Sequence, residues 1–268
     1  MPHAAGLWYD WHGPEDRDVL ILSPGLGGSA DYWRPNLDAL AAEHRVLVYD
    51  HRGTGRSDRS MPDSVTVDDL ADDILALVDA LGIPKATLIG HAAGGVAGLA
   101  LALIAPERLD RLIVVNGWAA PDPHFLRCFE ARLALLQDSG PEAYLRAQPI
   151  FLYPADWSSE HHAEIEAELP AQIEHFQGLE TLTKRIAALA AFDISSRLSE
   201  IEVPVLVLAA PDDVLVPARA GKALADGLPN AGLAYSAYGG HACNVTWPDG
   251  FNGFILAWLR DEPSQGVS

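Results

Sequence analysis

The stretch that decides the fold spans residues 87–106 and reads TLIGHAAGGVAGLALALIAP. An apolar, β-branched strand ends at Ile89, Gly90 permits a turn, and a helix of small residues follows. Residues 90–94, GHAAG, have the frame of the G-x-S-x-G nucleophile elbow, with Ala92 at the position where the elbow carries serine. The same frame is also typical of a tight packing turn without chemistry, so the rest of the chain must decide between the two interpretations.

Six short runs rich in β-branched and other apolar residues predict the strands of a sheet. They are DVLILS (18–23), RVLVYD (45–50), KATLIG (85–90), RLIVVN (111–116), VPVLVLA (203–209) and GLAYSA (232–237). Most are continuous rather than alternating, which is typical of parallel strands covered by helices on both faces. A helical pattern over 66–82, with aspartates near its start and Gly82 at its end, separates the second run from the third. Together these patterns predict an α/β fold with a mostly parallel, doubly wound sheet.

The alternation of strands and helices stops after Asn116. Residues 119–198 show no convincing strand and are rich in alanine, leucine and aromatic residues, which predicts a helical cap inserted between two core strands. We therefore divide the chain into a core, 1–118 and 199–260, and a cap, 119–198. The polar segment 261–268 is predicted to be a flexible tail.

Composition narrows the classes of partner. The 37 acidic residues against 18 basic ones give a formal charge of −19, which argues against nucleic acid and anionic membranes as partners. Two cysteines form no disulfide framework, the N-terminal segment lacks the features of a signal peptide, and no apolar run reaches the ~20 residues of a membrane span. We expect a cytoplasmic protein, monomeric or homodimeric, that acts on a small molecule. No spacing of residues indicates a metal site, and no cofactor is predicted.

Two segments that follow predicted strands supply acids and a histidine. LVLAAPDDVLVP (206–217) places Asp212 and Asp213 just past a buried strand, at the sheet edge where ligands bind in open α/β sheets. AYGGHACNVT (237–246) places His241 in a glycine-rich loop after the next strand. Two adjacent acids and a loop histidine are each unremarkable alone. The chain order elbow, acid, histidine is the order of the catalytic triad in enzymes built on a nucleophile elbow, and this joint occurrence favours a catalytic site.

A glycine-rich loop, LSPGLGGSADYW (22–33), overlaps the end of the first predicted strand. Such a loop can direct backbone N–H groups toward a developing oxyanion, and by position the two donors are the amides of Leu26 and Ala93. The segment YDHRGTGRSD (49–58) lacks the lysine-containing pattern of a phosphate loop and is interpreted as structural.

Substrate contacts are assigned by position around the elbow and on the cap. The assigned residues are Gly25, His91, Trp118 and Tyr153. Four cap cations are candidates for holding a carboxylate, although each is expected to be a surface charge on a helix: Arg127, Arg132, Lys184 and Arg185. Three hydroxyls near the predicted site are not assigned as nucleophiles: Ser23, Ser29 and Thr54.

The chain resembles the α/β-hydrolases, and more closely the RutD-type hydrolases of the bacterial pyrimidine-utilisation pathway. The segments that carry the resemblance are SPGLGGS…YW (23–33), YDHRGTG (49–55), GHAAG (90–94), VNGW (115–118), FLYPADW (151–157), HFQG (175–178), DDVLVP (212–217) and YGGHACNVT (238–246). The resemblance implies a hydrolase of uracil and thymine catabolism that acts on carbamate or 3-aminoacrylate. It also implies that Asp213 is the acid, His241 the base and position 92 the nucleophile position.

Three functions remain open at this stage. The first is a hydrolase of C–N bonds other than peptide bonds, in which Asp213 and His241 activate a water molecule by general-base catalysis and the backbone amides hold the oxyanion. The second is a serine esterase or amidase inactivated by alanine at position 92. The third is a non-catalytic member of the fold that binds a ligand. Ala92 is compatible with a residue native to this branch and with a substitution for serine.

Overall fold

The computed structural model describes residues 2–261, and within them eight strands form one sheet. The strands are β1 (His3–Ala4), β2 (Leu7–His12), β3 (Val19–Ser23), β4 (Arg45–Tyr49), β5 (Ala86–His91), β6 (Leu109–Val115), β7 (Val205–Ala209) and β8 (Ala231–Tyr235). Their order across the sheet is β1-β2-β4-β3-β5-β6-β7-β8. The six strands from β4 to β8 in that order run parallel, whereas β2 is antiparallel to both of its neighbours. The predicted mostly parallel sheet is confirmed.

The antiparallel pair β1 and β2 was absent from the sequence prediction. Its longer strand, LWYDWH, buries Leu7 and Trp8 and leaves the next four residues half-buried. The strand is therefore neither a continuous apolar run nor a clean alternation, which are the two patterns that predict strands. Its position comes from pairing with β4, where Tyr9 lies opposite Tyr49.

Helices cover both faces of the sheet. They are α1 (Arg34–Ala41), α2 (Val67–Ala80), α3 (Ala93–Ile104), α4 (Pro123–Leu152), α5 (Ala155–Glu160), α6 (His162–Glu174), α7 (Leu179–Ala191), α8 (Ala218–Gly227), α9 (Cys243–Thr246) and α10 (Pro248–Leu259). Adjacent residues of one strand point to opposite faces, so Leu88 belongs to the core under α2 and α3 while Ile89 belongs to the core under α1 and α10. This two-sided burial explains the continuous apolar strands.

The predicted helix at 66–82 is α2, and local chemistry sets both of its ends. The Thr66 hydroxyl accepts a hydrogen bond from the Asp69 amide, and the Asp69 carboxylate accepts one from the Thr66 amide, which forms a capping box. Gly82 adopts φ +66°, a backbone conformation that stops the helix and that glycine adopts without strain.

Between β6 and β7 the chain forms α4 to α7. Helix α4 is broken at Gly140, where φ is 83° and ψ is −179°, and Pro141 starts the second helical segment. The first residues of α4 follow the end of β6 closely, so this helical block lies above the carboxyl edge of the sheet. The boundaries of core and cap at 118 and 198 stay a prediction. Of the predicted tail, residues 262–268 lie outside the described residues.

In the part of the chain from residue 2 to residue 261, no helix has both the length and the apolar character that crossing a membrane requires.

Candidate active site

The turn between β5 and α3 has the backbone of a nucleophile elbow with an alanine at its apex. Ala92 adopts φ 46° and ψ −105°, a conformation that costs a residue with a side chain roughly 1–3 kcal/mol. The Ala92 amide donates to the Val115 carbonyl at 2.9 Å, and its carbonyl accepts from the Val96 amide at 2.9 Å. A Cβ on Gly94 would lie 2.3 Å from the Ser23 carbonyl oxygen, so only glycine fits there. The strained turn is therefore held in place by its surroundings.

Asp213 and His241 are brought together at the carboxyl edge of the sheet. Asp213 follows β7, His241 lies in the turn after β8, and the Asp213 Oδ2–His241 Nδ1 distance is 2.7 Å. The second carboxylate oxygen accepts from the amides of Leu215 and Val216, at 2.7 and 2.9 Å. Because a carboxylate only accepts, Nδ1 of His241 carries the proton and Nε2 is the basic nitrogen. No other residue among 2–261 bonds to that Nε2.

Three polar side chains hold the histidine turn, and sequence reasoning singled out two of them, Asp212 and His91. Asp212 accepts from the amides of Gly239 and Gly240, at 3.1 and 3.0 Å. His91 Nε2 donates to the His241 carbonyl at 2.8 Å. The third is Asn116, whose Nδ2 donates to the same carbonyl at 2.8 Å while its Oδ1 accepts from the Ala210 amide at 2.8 Å.

His91 stays neutral in this arrangement. Burial, with the neighbouring His241 ring, lowers the pKa of His91 well below its usual value. Because Nε2 donates to a carbonyl, Nδ1 is the unprotonated nitrogen, and it has no hydrogen-bond partner within residues 2–261. His91 therefore supports the His241 backbone.

The predicted oxyanion donors lie on neighbouring strand ends. Ser23 of β3 is in register with Gly90 of β5, so the loop after β3 starts beside the elbow. The Gly25 carbonyl accepts from the Gly28 amide at 2.9 Å, and the Leu26 N–H of the same planar, trans peptide points the opposite way. The Ala93 N–H belongs to the first residue of α3, where helix geometry supplies no acceptor. Neither N–H has an acceptor in the described chain.

The residues predicted to contact substrate have different surroundings. Gly25 lies against His91, because a Cβ on it would be 2.7 Å from His91 Nδ1. Tyr153 packs on Trp157 with ring centres 4.7 Å apart, and burial raises its pKa to about 12. Trp118 is 2% exposed and packs on Phe125 at 4.4 Å. Their contact with substrate stays a prediction.

Tyr32 is a site residue that sequence reasoning missed. Its hydroxyl donates to Asn244 Oδ1 at 2.6 Å, and its ring centre lies 4.8 Å from that of His91. Burial raises the pKa of Tyr32 well above its usual value, so the hydroxyl stays protonated. Its place in the glycine-rich segment 22–33, beside the predicted oxyanion donor Leu26, is the signal that could have revealed it.

The three hydroxyls not assigned as nucleophiles have other partners. Ser23 Oγ lies 2.7 Å from the Tyr49 hydroxyl, Ser29 accepts from the Asp31 amide, and Thr54 lies 3.5 Å from Gln177 Oε1. Each therefore contributes to the structure of the loops beside the elbow.

The expectation that the four cap cations are surface charges is wrong for two of them. Arg127 is exposed, as expected, and Lys184 is partly exposed and pairs with Glu180. Arg132 and Arg185 are 4% and 2% exposed. Arg185 lies on the apolar stripe of α7 with Leu182 and Leu189, three residues before and four after it. That helical spacing is the signal that could have revealed its burial.

An elbow after the fifth strand, an acid after β7 and a histidine after β8 define the architecture of an α/β-hydrolase. A family model described as "alpha/beta hydrolase fold" matches residues 18–154. The crystal structure of a hydrolase from Pseudomonas aeruginosa superposes with a TM-score of 0.85 at 30% identity, covering 94% of each chain.

Curated relatives place the chain more narrowly. A protein from Caulobacter sp. (strain K31) is 52% identical over 96% of this chain and 97% of its own length, and one from Variovorax paradoxus is 47% identical over 97% and 98%. Both carry the provisional name carbamate hydrolase RutD. The chain therefore belongs to the α/β-hydrolase superfamily and, within it, to the RutD family of hydrolases.

Proposed function

We propose that this chain hydrolyses carbamate, a small and labile C–N compound, with a water molecule as the nucleophile. One observation carries the proposal. A hydrogen-bonded Asp213–His241 pair and two backbone amides that have no acceptor among residues 2–261 lie around an elbow whose central side chain is only a methyl group. The methyl of Ala92 cannot form an acyl-enzyme. The names of the relatives support carbamate as the substrate.

In the first step, His241 Nε2 takes a proton from water while the water oxygen bonds to the carbamate carbon. Asp213 holds the Nδ1 tautomer and stabilises the imidazolium that forms. Negative charge grows on the carbamate oxygens, and the Leu26 and Ala93 amides donate to one of them.

In the second step, the imidazolium returns its proton to the nitrogen and the C–N bond breaks. The nitrogen leaves as ammonia with the bonding pair, and the carbon leaves as bicarbonate. One carbamate ion and one water molecule thus give one bicarbonate ion and one ammonia molecule, with no oxidant or cofactor. The same base and amides suit 3-aminoacrylate, which would give ammonia and malonic semialdehyde.

The catalytic power of such a site matches a labile substrate. General-base catalysis contributes about 10²–10⁴-fold, and triad enzymes stripped of their triad keep about 10³–10⁴-fold over water. These gains are small beside those of a complete triad. They suffice for a compound that already decomposes unaided, as both carbamate and 3-aminoacrylate do.

The test is the decay of ammonium carbamate at neutral pH, measured with the native chain, His241→Gln and His162→Gln. His162 is an exposed histidine on the cap and serves as the matched control. We expect acceleration with the native chain and the control, and none with His241→Gln. No acceleration by the native chain would refute carbamate as the substrate, and equal acceleration by all three would refute the role of His241.

A second candidate rests on the strained backbone of Ala92. An elbow conformation that costs roughly 1–3 kcal/mol is useful for presenting a nucleophile, and here it presents a methyl group. If the chain is a disabled serine hydrolase, Ala92→Ser creates turnover of short esters with an acyl-enzyme burst while the native chain is inactive on carbamate. If the native chain and Ala92→Ser are both inactive on carbamate, 3-aminoacrylate and short esters, a ligand-binding role is favoured.

A further inference from the structure

Arg185 is a buried cation that forms no ion pair with a carboxylate of the described residues. Its side chain comes from cap helix α7 and is 2% exposed, yet none of the ion pairs formed within residues 2–261 includes it. The carboxylate whose charge acts on it, Asp73, forms an ion pair with Arg52 at 2.6 Å. Burial lowers the pKa of Arg185 to about 10, so the side chain remains charged at neutral pH. An uncompensated buried charge is costly, which calls for a functional reason.

The guanidinium is directed at the loop that carries the Leu26 amide. Its Nη1 lies 3.3 Å from the Leu26 carbonyl oxygen and 2.9 Å from Gln177 Oε1, and its Nη2 donates to the Arg52 carbonyl. Gln177 Nε2 donates to the same Leu26 carbonyl at 3.2 Å. One carbonyl of the loop therefore receives two hydrogen bonds from the cap, and the two donors are bonded to each other.

The loop needs such external contacts, because glycine leaves its backbone free. Leu26 is flanked by Gly25 and by Gly27 and Gly28, and a side chain on Gly27 would meet open space. The turn bond from Gly28 fixes the peptide before Leu26, and the cap bonds fix the peptide after it. Gly28 has φ +71°, and a Cβ on it would lie 2.5 Å from Arg185 Nη1, so glycine at this position also makes room for the guanidinium.

We propose that Arg185 and Gln177 form a cap clamp that positions the Leu26 N–H for the oxyanion and places a positive charge behind it. Both are positioning residues, since they act through Leu26, and the inference rests on the proposed function for its reaction. Because the clamp fixes a positive charge behind the loop, it favours an anionic class of substrate. Carbamate belongs to that class, since it carries one negative charge and gains another as water attacks. A cation fixed behind the loop stabilises that second charge more than the first.

Gln177→Glu is the decisive variant, because it is nearly the same size and gives Arg185 a carboxylate partner. If Gln177 and Arg185 have a purely structural role, the Gln177→Glu variant should be at least as stable and as active as the native chain. The clamp predicts a stable chain whose kcat falls about tenfold or more with KM changed by less than about threefold, because the Leu26 carbonyl loses one donor and the charge is neutralised. Removing an oxyanion donor outright costs about 10²–10³-fold in kcat.

Two further variants separate charge from geometry. Arg185→Lys keeps the charge without the planar fork and is expected to retain more kcat than Arg185→Met. Lys222→Met removes an exposed cation of α8 that pairs with Asp226 on the surface, and it serves as the control with unchanged kcat.

Amide NMR of the loop tests the clamp independently of the substrate. The Leu26 and Gly27 amide signals are expected to shift or broaden in Gln177→Glu and Arg185→Met and to stay in place in Lys222→Met. Unchanged loop signals in both clamp variants would overturn the proposal, and so would shifted signals with an undiminished kcat. If the native chain does not act on carbamate, the proposed function fails while the amide signals still decide whether the clamp positions Leu26.

Discussion

Replacing Asn116 tests how the histidine turn is held. This buried side chain joins the end of β6 to the segments after β7 and β8, through the Ala210 amide and the carbonyls of Gly240 and His241. Its backbone has φ 50°, which glycine adopts without strain and asparagine tolerates better than most residues. Asn116→Gly therefore removes the side-chain hydrogen bonds but keeps a residue that tolerates this backbone conformation. Asn116→Ala removes the hydrogen bonds and also places a less tolerant residue at φ 50°.

The magnitude follows from the groups left behind. The buried Ala210 N–H loses its acceptor, which costs about 1–3 kcal/mol. The Gly240 carbonyl loses a donor that lies 3.3 Å away. The His241 carbonyl keeps the bond from His91, so its loss is smaller. We expect Asn116→Gly to lower the free energy of unfolding by about 2–4 kcal/mol and Asn116→Ala by about 1 kcal/mol more.

Urea unfolding followed by tryptophan fluorescence measures these differences. Asn230→Gly, at an exposed asparagine before β8, gives the ordinary cost of introducing glycine. Hydrolysis measured on the same preparations is expected to fall in Asn116→Gly, because the His241 backbone loses a fixed contact. An unfolding free energy for Asn116→Gly within about 0.5 kcal/mol of the native chain would refute the reasoning.

Three further predictions concern the neighbouring residues. Burial and the Arg185 charge lower the pKa of His51 well below its usual value, so the stability that neutral His51 contributes is present above about pH 6.5 and is lost as the pH falls below it. His51→Phe should therefore reduce the loss of unfolding free energy between pH 7.5 and pH 5.5 by about 1.4 kcal/mol. An unchanged loss would contradict this prediction. Gly28→Ala, at φ +71° and against Arg185, should lower the free energy of unfolding by about 1–3 kcal/mol in the same urea assay, and Gly27→Ala, in open space, should lower it less. Equal losses in the two variants would be evidence against the packing of Gly28 on Arg185. Asp213→Asn should lower kcat by about 10²–10⁴-fold, because the amide can present a donor where His241 Nδ1 needs an acceptor. Circular dichroism should show little change in fold, and full activity would exclude a catalytic role for the acid.

Much of the architecture was predictable because it depends on local pattern. Strands β3 to β7 are apolar runs buried on both faces, the edge strand β8 is a shorter apolar run that stays partly exposed, and helix α2 carries its own capping box. The proximity of Asp213 and His241 followed from chain order, since the carboxyl ends of parallel strands meet at one edge. Their catalytic roles stay predictions.

The contacts that the sequence did not predict join distant segments. The Tyr32 hydroxyl bonds to Asn244, 212 residues away, and Gln177 bonds to Leu26, 151 residues away. Periodicity describes which face of a helix is buried, but it does not identify the partner of a buried polar group. Strand β2 was missed for a related reason, because pairing with β4 rather than its own residue pattern holds it in the sheet.

The insertion of α4 to α7 between β6 and β7 has a consequence for how the protein reaches its active form. Pairing Val115 with Leu208 closes a connection of roughly 90 residues, which costs about 2 kcal/mol more in chain entropy than closing ten. The elbow and the Leu26 loop lie on one side of this joint, and Asp213 and His241 lie on the other. We expect β7 and β8 to dock late in folding, so that the return of hydrolysis during refolding reports the closure of the sheet, whereas the return of helical circular dichroism precedes it.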